Sequence, residues 1–493
     1  MKGFSCIRAA LALTCWASEV HAEATTPLSV TQAVERAVAG NADLRRERVA
    51  VARAAARLTM AEGQFDVIFD AGLDTRREAT PPLSCEPLCP NLTLVKTTTL
   101  GVGLSRGLET GGTLRLSALA GQFAASPQGN SGGPFYNSGL ALTFSHPLLR
   151  GFGTEVTLAN LRKARIQQDA AQLGRQMRAC NVMRDVVVAY WELAYATQDL
   201  VIKRSALDLA QEQLRITKAL IGVGRLADSD AASVERAIAQ RMEEVAVGEQ
   251  ILFFRSLDLQ RLFGVPAEVN IPILAAGDAP GTGATSVDDA AEISRAIEAN
   301  PQLRALKLGL RLSQVDLDTA RRTLRPRLDF TGSVGPVGYK PGLGDSVKQT
   351  AGFGALAWSA GLAFELPVEN RVARGQVQAA GEDLNLARLN AEDFAVQLRD
   401  LVLRTVRSIR TASARVELGR REVEFAQLNL DAERARFHAG RATNNDVLLR
   451  QQELKDAETR LLRATVDQNE SEVSLAAATA EILERYGVML KGL

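Results

Sequence analysis

Ser131 stands in the run Gly129-Asn130-Ser131-Gly132-Gly133-Pro134, the glycine-flanked form in which a serine nucleophile is offered to an acyl group. Such a serine needs a histidine base within hydrogen-bond reach and a third group to orient that base. Beyond residue 22 the sequence offers only His146 and His438, neither in a context that suggests a base. Gly222-x-Gly224-x-x-Ala227 mimics a dinucleotide fingerprint, but a fingerprint needs a strand entering the turn. Here a helical run enters it, so the glycines read as a helix C-terminal break. Cys85-x-x-x-Cys89 has no His or Cys partners at zinc spacing. In its Pro-rich loop the pair could instead close a small disulfide in an oxidising space. No catalytic, cofactor or metal site emerges, and the chain does not read as an enzyme. What remains is charge beside two glycine breaks: Arg225, Asp228 and Asp230 follow Gly224, and Arg441 and Asp446 follow Gly440.

The elements that carry these breaks follow from proline and from periodicity. All 16 Pro fall outside residues 148–265 and 368–493. Proline inside a helix costs about 3 kcal/mol, so these two windows admit long helices. In the first, Val186, Leu193, Leu200, Leu207, Leu214 and Ile221 recur every seven residues; at an offset of 216, Val402, Ile409, Val416, Val423, Leu430 and Phe437 do the same. Three places after the seam come Ala189, Ala196 and Ala210, matched by Thr405, Ala412, Gly419 and Ala426. A large-then-small heptad seam is the pattern of coiled-coil packing with close backbones.

The duplication is wider than the seam. Asn41, Leu44 and Asp70 match Asn300, Leu303 and Asp329 at an offset of 259, and each half closes on aromatic-Gly-Val, at Phe263-Gly264-Val265 and Tyr486-Gly487-Val488. The first repeat is expected over 23–265, with a helix at 28–63, strands in 64–147, a long helix at 154–221 and a helix at 227–263. A Gly- and Pro-rich linker, 266–286, leads to the second repeat, 287–493, with a helix at 287–325, strands in 328–367, a long helix at 371–438 and a helix at 444–487. The long helices, about 65–70 residues at about 1.5 Å each, would reach roughly 100 Å.

In the strand regions the period changes to two. Phe65, Val67, Phe69, Ala71 and Leu73 alternate with Asp66, Asp70, Gly72 and Asp74, and similar alternation at 99–105, 114–118 and 140–145 gives four candidate strands. The second half gives two, around Leu328, Phe330 and Val334 and around Leu356, Trp358, Leu362 and Phe364. One apolar face and one small or polar face fit strands with lipid outside and water inside; a soluble sheet with one solvated face is the alternative. Six strands are too few for a water-filled barrel, so several chains would have to contribute.

Composition and the N-terminus narrow the class. The 493 residues hold 58 Lys+Arg and 57 Asp+Glu, mixed along the chain, without the basic face of a nucleic-acid binder. Lys2 and Arg8, the apolar stretch Ala9 to Trp16, and Val20-His21-Ala22 read as a cleaved signal peptide over 1–22, with lipidation at Cys15 as the alternative. After it no apolar run approaches the ~18 residues of a spanning helix.

The signal, the duplicated unit, Leu142-x-Phe144-x-x-Pro147-Leu148-Leu149-Arg150-Gly151 entering the long helix, and Gly440-Arg441-x-x-x-x-Asp446-Val447-Leu448 at the distal break together resemble the TolC-like outer-membrane efflux protein family. The resemblance covers essentially the whole mature chain. It implies a mainly helical protomer with strands, three of which form an α-barrel tunnel across the periplasm joined to a shared transmembrane β-barrel in the outer membrane. It implies a passive exit duct for efflux or type I secretion, partnered by a periplasmic adaptor and an inner-membrane transporter, with no cofactor. It places Val223, Gly224, Ala439 and Gly440 at the adaptor-docking tips and Asp446 in the constriction. The residue one helical turn after Asp446 is Leu449, where an aspartate is common in the family, so Asp228 and Asp230 are the other acidic candidates. Three copies of Asp446 on an axis would repel one another, attract cations, and pair with Arg225 or Arg441 when closed. Asp230 and Asp446 read equally as first-turn carboxylates capping their helices. The strand count leaves 12 or 18 strands open. A periplasmic coiled-coil adaptor or surface adhesin is the rival function.

Overall fold

The computed structural model describes residues 26–80, 93–126, 134–266, 272–281 and 287–488. In chain order, β1 (Thr26–Leu28), α1 (Val30–Gly40) and α2 (Ala42–Glu62) precede four strands, β2 (Val67–Thr80), β3 (Thr93–Gly107), β4 (Thr113–Ser126) and β5 (Phe135–Pro147). A single turn, α3 (Thr154–Thr157), leads into α4 (Ala159–Gly222) and α5 (Asp228–Leu262), and β6 (Leu274–Ala276) lies in the linker. The second repeat supplies α6 (Asp289–Ala299), α7 (Pro301–Thr323), β7 (Arg327–Lys340), α8 (Leu343–Ala351), β8 (Leu356–Glu365), α9 (Arg371–His438), α10 (Asn444–Ala478) and α11 (Ile482–Arg485). Signal residues 1–22, Cys85, Cys89 and Ser131 lie outside the described residues.

The packing forms two compact units. One is built from the described residues up to Asn41, from Val182–Ser286 and from Thr405–Leu475; the other from Ala42–Asn181, Val287–Arg404 and the described residues after Ala476. In the first unit the heptad seam is the core: Val186, Leu193, Ile409, Val416 and Leu430 are buried, with Ala196, Ala210, Ala412 and Gly419 in the small positions. A Cβ on Gly419 would press on Leu461 at 3.3 Å, so this position keeps two helices close. The linker carries a strand that the sequence reading left out, since β6 pairs in parallel with β1. Tyr190, fully buried, joins the pair through its hydroxyl, 3.0 Å from both the Leu28 carbonyl oxygen and Asp278 Oδ2.

The expected single helices at 28–63 and 287–325 are each two helices. At Asn41 (φ −61°, ψ 128°) the backbone turns extended, and Nδ2 donates to the Leu262 carbonyl oxygen at 2.8 Å, the last residue of α5. Asn300 repeats the arrangement: Nδ2 donates to the carbonyl oxygen of Ala478, the last residue of α10, and Oδ1 accepts from the Gln302 and Leu303 amides. Pro301 takes the first helical position, where its missing N–H is no loss. An amide side chain outcompetes helix continuation because it satisfies both its own helix start and a neighbour's orphan carbonyl. The helix expected over 444–487 stops at Ala478, with Ala480 in a left-handed conformation (φ 62°) before the short α11.

In the second unit six strands form one antiparallel sheet in the order β2-β3-β4-β5-β7-β8. They run 10–15 residues, longer than the alternating stretches alone indicate. Register places Phe69, Leu104, Leu116, Leu142, Val334 and Trp358 on one face, and Asp70, Gly103, Ser117, Ala141, Gly335 and Ala357 on the other. Apart from the part that α8 covers, the apolar face is bare in the single chain: Leu73 is 71% and Trp358 75% exposed. Among the described residues no helix is long and apolar enough to cross a membrane.

Candidate functional site

Both glycine breaks lie in the first unit, and each is built the same way. Gly224 (φ 73°) donates its N–H to the Ile221 carbonyl oxygen and Arg225 donates to that of Leu220; Gly440 (φ 71°) donates to Phe437 and Arg441 to Arg436. This pairing of orphan carbonyls requires the left-handed conformation that glycine adopts without a Cβ penalty. The helices that follow are capped by the two aspartates. Thr443 and Asp446 form a reciprocal box: the Asp446 amide donates to Thr443 Oγ1 at 3.3 Å, and the Thr443 amide to Asp446 Oδ2 at 2.8 Å. Asp230 accepts from the Ala227 amide at 3.1 Å, and Ala227 has no side-chain acceptor to return.

The two breaks meet. Leu430, Phe437, Val447 and Leu454 form a buried cluster against which Ile216, Leu220 and Leu226 pack, and Arg225 Nη2 lies 3.8 Å from where a Cβ on Gly440 would stand. Beneath the turns runs a buried polar contact that the sequence reading did not single out. Asn444 Oδ1 accepts from Gln213 Nε2 at 2.8 Å and Thr217 Oγ1 at 2.9 Å, while its Nδ2 donates to the Asp230 carbonyl oxygen at 3.5 Å. Three helices, α4, α5 and α10, are joined at one side chain. Val223, Gly224, Ala439, Gly440, Arg225, Arg441, Asp228 and Asp446 are exposed around it. Among the described ion pairs neither Arg225 nor Arg441 engages Asp446; Thr443 does, and its hydrogen bonds hold the Asp446 carboxyl below the usual carboxylate range.

Farther along the same unit, Arg463 gathers three carboxylates: Glu192 at 2.7 Å, Asp467 at 2.6 Å and Glu470 at 3.3 Å, with Arg255 and Arg415 outside them. Burial pushes the Glu470 carboxyl up to about 7, with Glu192 and Asp467 adding to the shift and Arg463 offsetting part of it. A folded pKa raised above the ordinary 4.5 contributes stability that is full below 4.5 and is lost as pH rises through about 7. The unfolding temperature should therefore fall between pH 5 and pH 8. Glu470→Gln should flatten that slope and raise the transition at pH 8 by roughly 2 °C; an unchanged slope in a thermal melt series would contradict the assignment.

In the second unit the polar sheet face holds an ion pair, Arg115 Nη2 to Asp70 Oδ2 at 2.5 Å, reaching from β4 to β2 across β3. Gly103 makes the crossing possible, because a Cβ there would meet Arg115 Nη2. His146, near the end of β5, lies 3.0 Å from Thr110 Oγ1 in the turn before β4, and His438 meets Phe437 edge-on.

Residues 293–481 match the family model described as outer membrane efflux protein. No curated protein sequence matches the chain. Among solved structures, the outer-membrane channel OprN is similar at a TM-score of 0.68 and 18% identity, over 92% of this chain and 89% of that one. The outer membrane protein VceC from Vibrio cholerae is similar at 0.65 and 14%, over 92% and 96%. The Campylobacter jejuni CmeC outer membrane channel is similar at 0.62 and 16%, over 92% and 85%.

Proposed function

We propose that this chain, which by its second repeat belongs to the outer membrane efflux protein family, is the channel subunit of an efflux system, working as a homotrimer in the outer membrane with a periplasmic adaptor and an inner-membrane transporter. The observation that carries this reading is the open sheet. Among the described residues β2 and β8 each pair on one side only, and all ten residues of β8 are exposed. A spanning sheet cannot leave backbone N–H and C=O groups unpaired in lipid. Edge-to-edge closure with further copies satisfies them. Three copies give 18 strands, within the size range at which barrels leave an aqueous channel, and this favours 18 over 12.

In that barrel the small and polar face, with Gly72, Gly101, Gly103, Ser117 and Ser359, lines the lumen, and the leucine-rich face meets lipid. The glycine breaks form the periplasmic tip. Val223, Gly224, Ala439 and Gly440 are the docking turns, and Asp446, with Asp230 and Asp228, sets the charge of the constriction. Arg225 and Arg441, which do not pair with Asp446 within one chain, would latch it by pairing with the carboxylates of neighbouring copies. Exposed pairs of this kind are weakened by solvent screening, which suits a latch that an adaptor can open. The adaptor or adhesin reading gives the apolar face of six strands no occupant.

The test is fractionation followed by recording. The exported protein should sediment with outer membranes, require detergent for extraction, and give discrete conductance steps in planar bilayers. Release by a salt wash, or no conductance, would overturn the reading.

A further inference from the structure

We propose that the apolar sheet face beside α8 binds one acyl chain of a bilayer lipid with a net-negative, phosphate-bearing head group, which sits on Arg77, Lys96 and Lys340. The inference rests on the reading that this face meets a membrane. α8 lies on the apolar face: Ser138 Oγ is 2.8 Å from Ser346 Oγ and 2.7 Å from Thr350 Oγ1. Gly338 allows the approach, since a Cβ there would collide with the Ser346 carbonyl oxygen. One side of the helix thus forms a wall above the sheet.

Between that wall and the strands runs a trough of 280 Å³ lined by Leu100, Val102, Ala118, Ala120, Leu140 and Val347. The two alanines make its floor, where the two preceding positions of β4 on the same face are Leu114 and Leu116. The hydroxyls of Ser346 and Thr350 are engaged with Ser138 and with backbone, so water in the trough would lack the polar partners that hold buried water. The volume is too small for a protein helix of ~10 Å diameter and suits a flexible chain.

What selects a lipid with an anionic head is the row immediately beyond. On the same face, going away from α2 and α7, the aligned residues change from Leu73, Leu100, Ala120, Ser138 and Gly338 to Thr75, Thr98, Gln122, Tyr136 and Lys340. One step further Arg77 stands directly opposite Lys96. All three cations are exposed, and among the described residues none is in an ion pair. Apolar trough below and unpaired cations above match an amphiphile with a negative head at a bilayer surface.

Delipidated protein in nonionic detergent is to be mixed with dipalmitoyl phosphatidylglycerol or dipalmitoyl phosphatidylcholine and examined by native mass spectrometry. The expected result is one phosphatidylglycerol retained per chain, at least ten-fold over phosphatidylcholine. Ala120→Phe should abolish retention of both. Arg77→Gln with Lys96→Gln and Lys340→Gln should keep binding but equalise the two lipids. Equal retention of both lipids by the unaltered protein, or retention unchanged in Ala120→Phe and in the triple variant, would overturn the proposal. A protein that extracts with detergent and conducts, yet shows that result, loses only this inference; one that needs no detergent loses the channel reading first.

Discussion

Channels carrying Asn444→Ala should spend far more time open than the unaltered channel. The substitution strips the acceptor from Gln213 Nε2 and removes a side chain that joins α4, α5 and α10 beside the two breaks. Leaving a buried donor unpaired costs about 1–3 kcal/mol, and in the proposed gate these bonds are assigned to the closed arrangement. A difference of about 2–3 kcal/mol shifts an equilibrium roughly 30- to 150-fold. Single-channel recordings should show this as a rise in open probability at fixed voltage. Thr217→Val, which removes one donor and leaves no buried group unpaired, should move it less. An open probability unchanged in Asn444→Ala would remove this residue from the gate.

Asp446 has two roles in this account, and two substitutions separate them. Asp446→Asn keeps a side-chain oxygen for the Thr443 amide, so the cap survives while three charges leave the constriction. Asp446→Ala removes cap and charge together. The asparagine variant should lower cation preference, read as a reversal potential moved toward zero under a KCl gradient, and lower the unfolding transition less than the alanine variant does, because it loses the carboxylate charge but keeps the cap oxygen. The alanine variant should lower both. The Asp446 carboxyl is held below its ordinary 3.8 by Thr443, so its contribution to folding is present above that value and lost as pH falls through the lowered one. Cation preference should accordingly persist from neutral pH to about 4. A reversal potential that does not respond to Asp446→Asn would leave the residue as a cap alone.

Much of this architecture is legible because it is periodic. The seam from Val186 to Ile221 and its copy from Val402 to Phe437 read directly as helices packed along one line. The alternation around Phe69 and Leu142 read as strands with one apolar face, because burial on a single face repeats every second residue. Gly224 and Gly440 were readable as stops because a left-handed residue at a helix end favours glycine. What periodicity does not carry is a side chain that bonds across sequence distance. Asn41 and Asn300 were visible as a repeated pair, but their break depends on the Leu262 and Ala478 carbonyls, more than 170 residues away. Thr217 occupies the same heptad place as Ala196 and Ala210, so a polar residue in a small slot was a usable sign of the Asn444 contact. α8 left less trace, since nine residues give too few turns for a pattern and its seat, Gly338 and Ser138, lies on other strands.

A three-dimensional electron-microscopy reconstruction of the detergent-extracted protein bears most directly on the claim that separate chains close one barrel. Three chains around a common axis should share an 18-stranded wall, with β8 of each chain hydrogen-bonded to β2 of the next. A monomer whose β2 and β8 edges stay free, or a wall with a different number of strands, would contradict it.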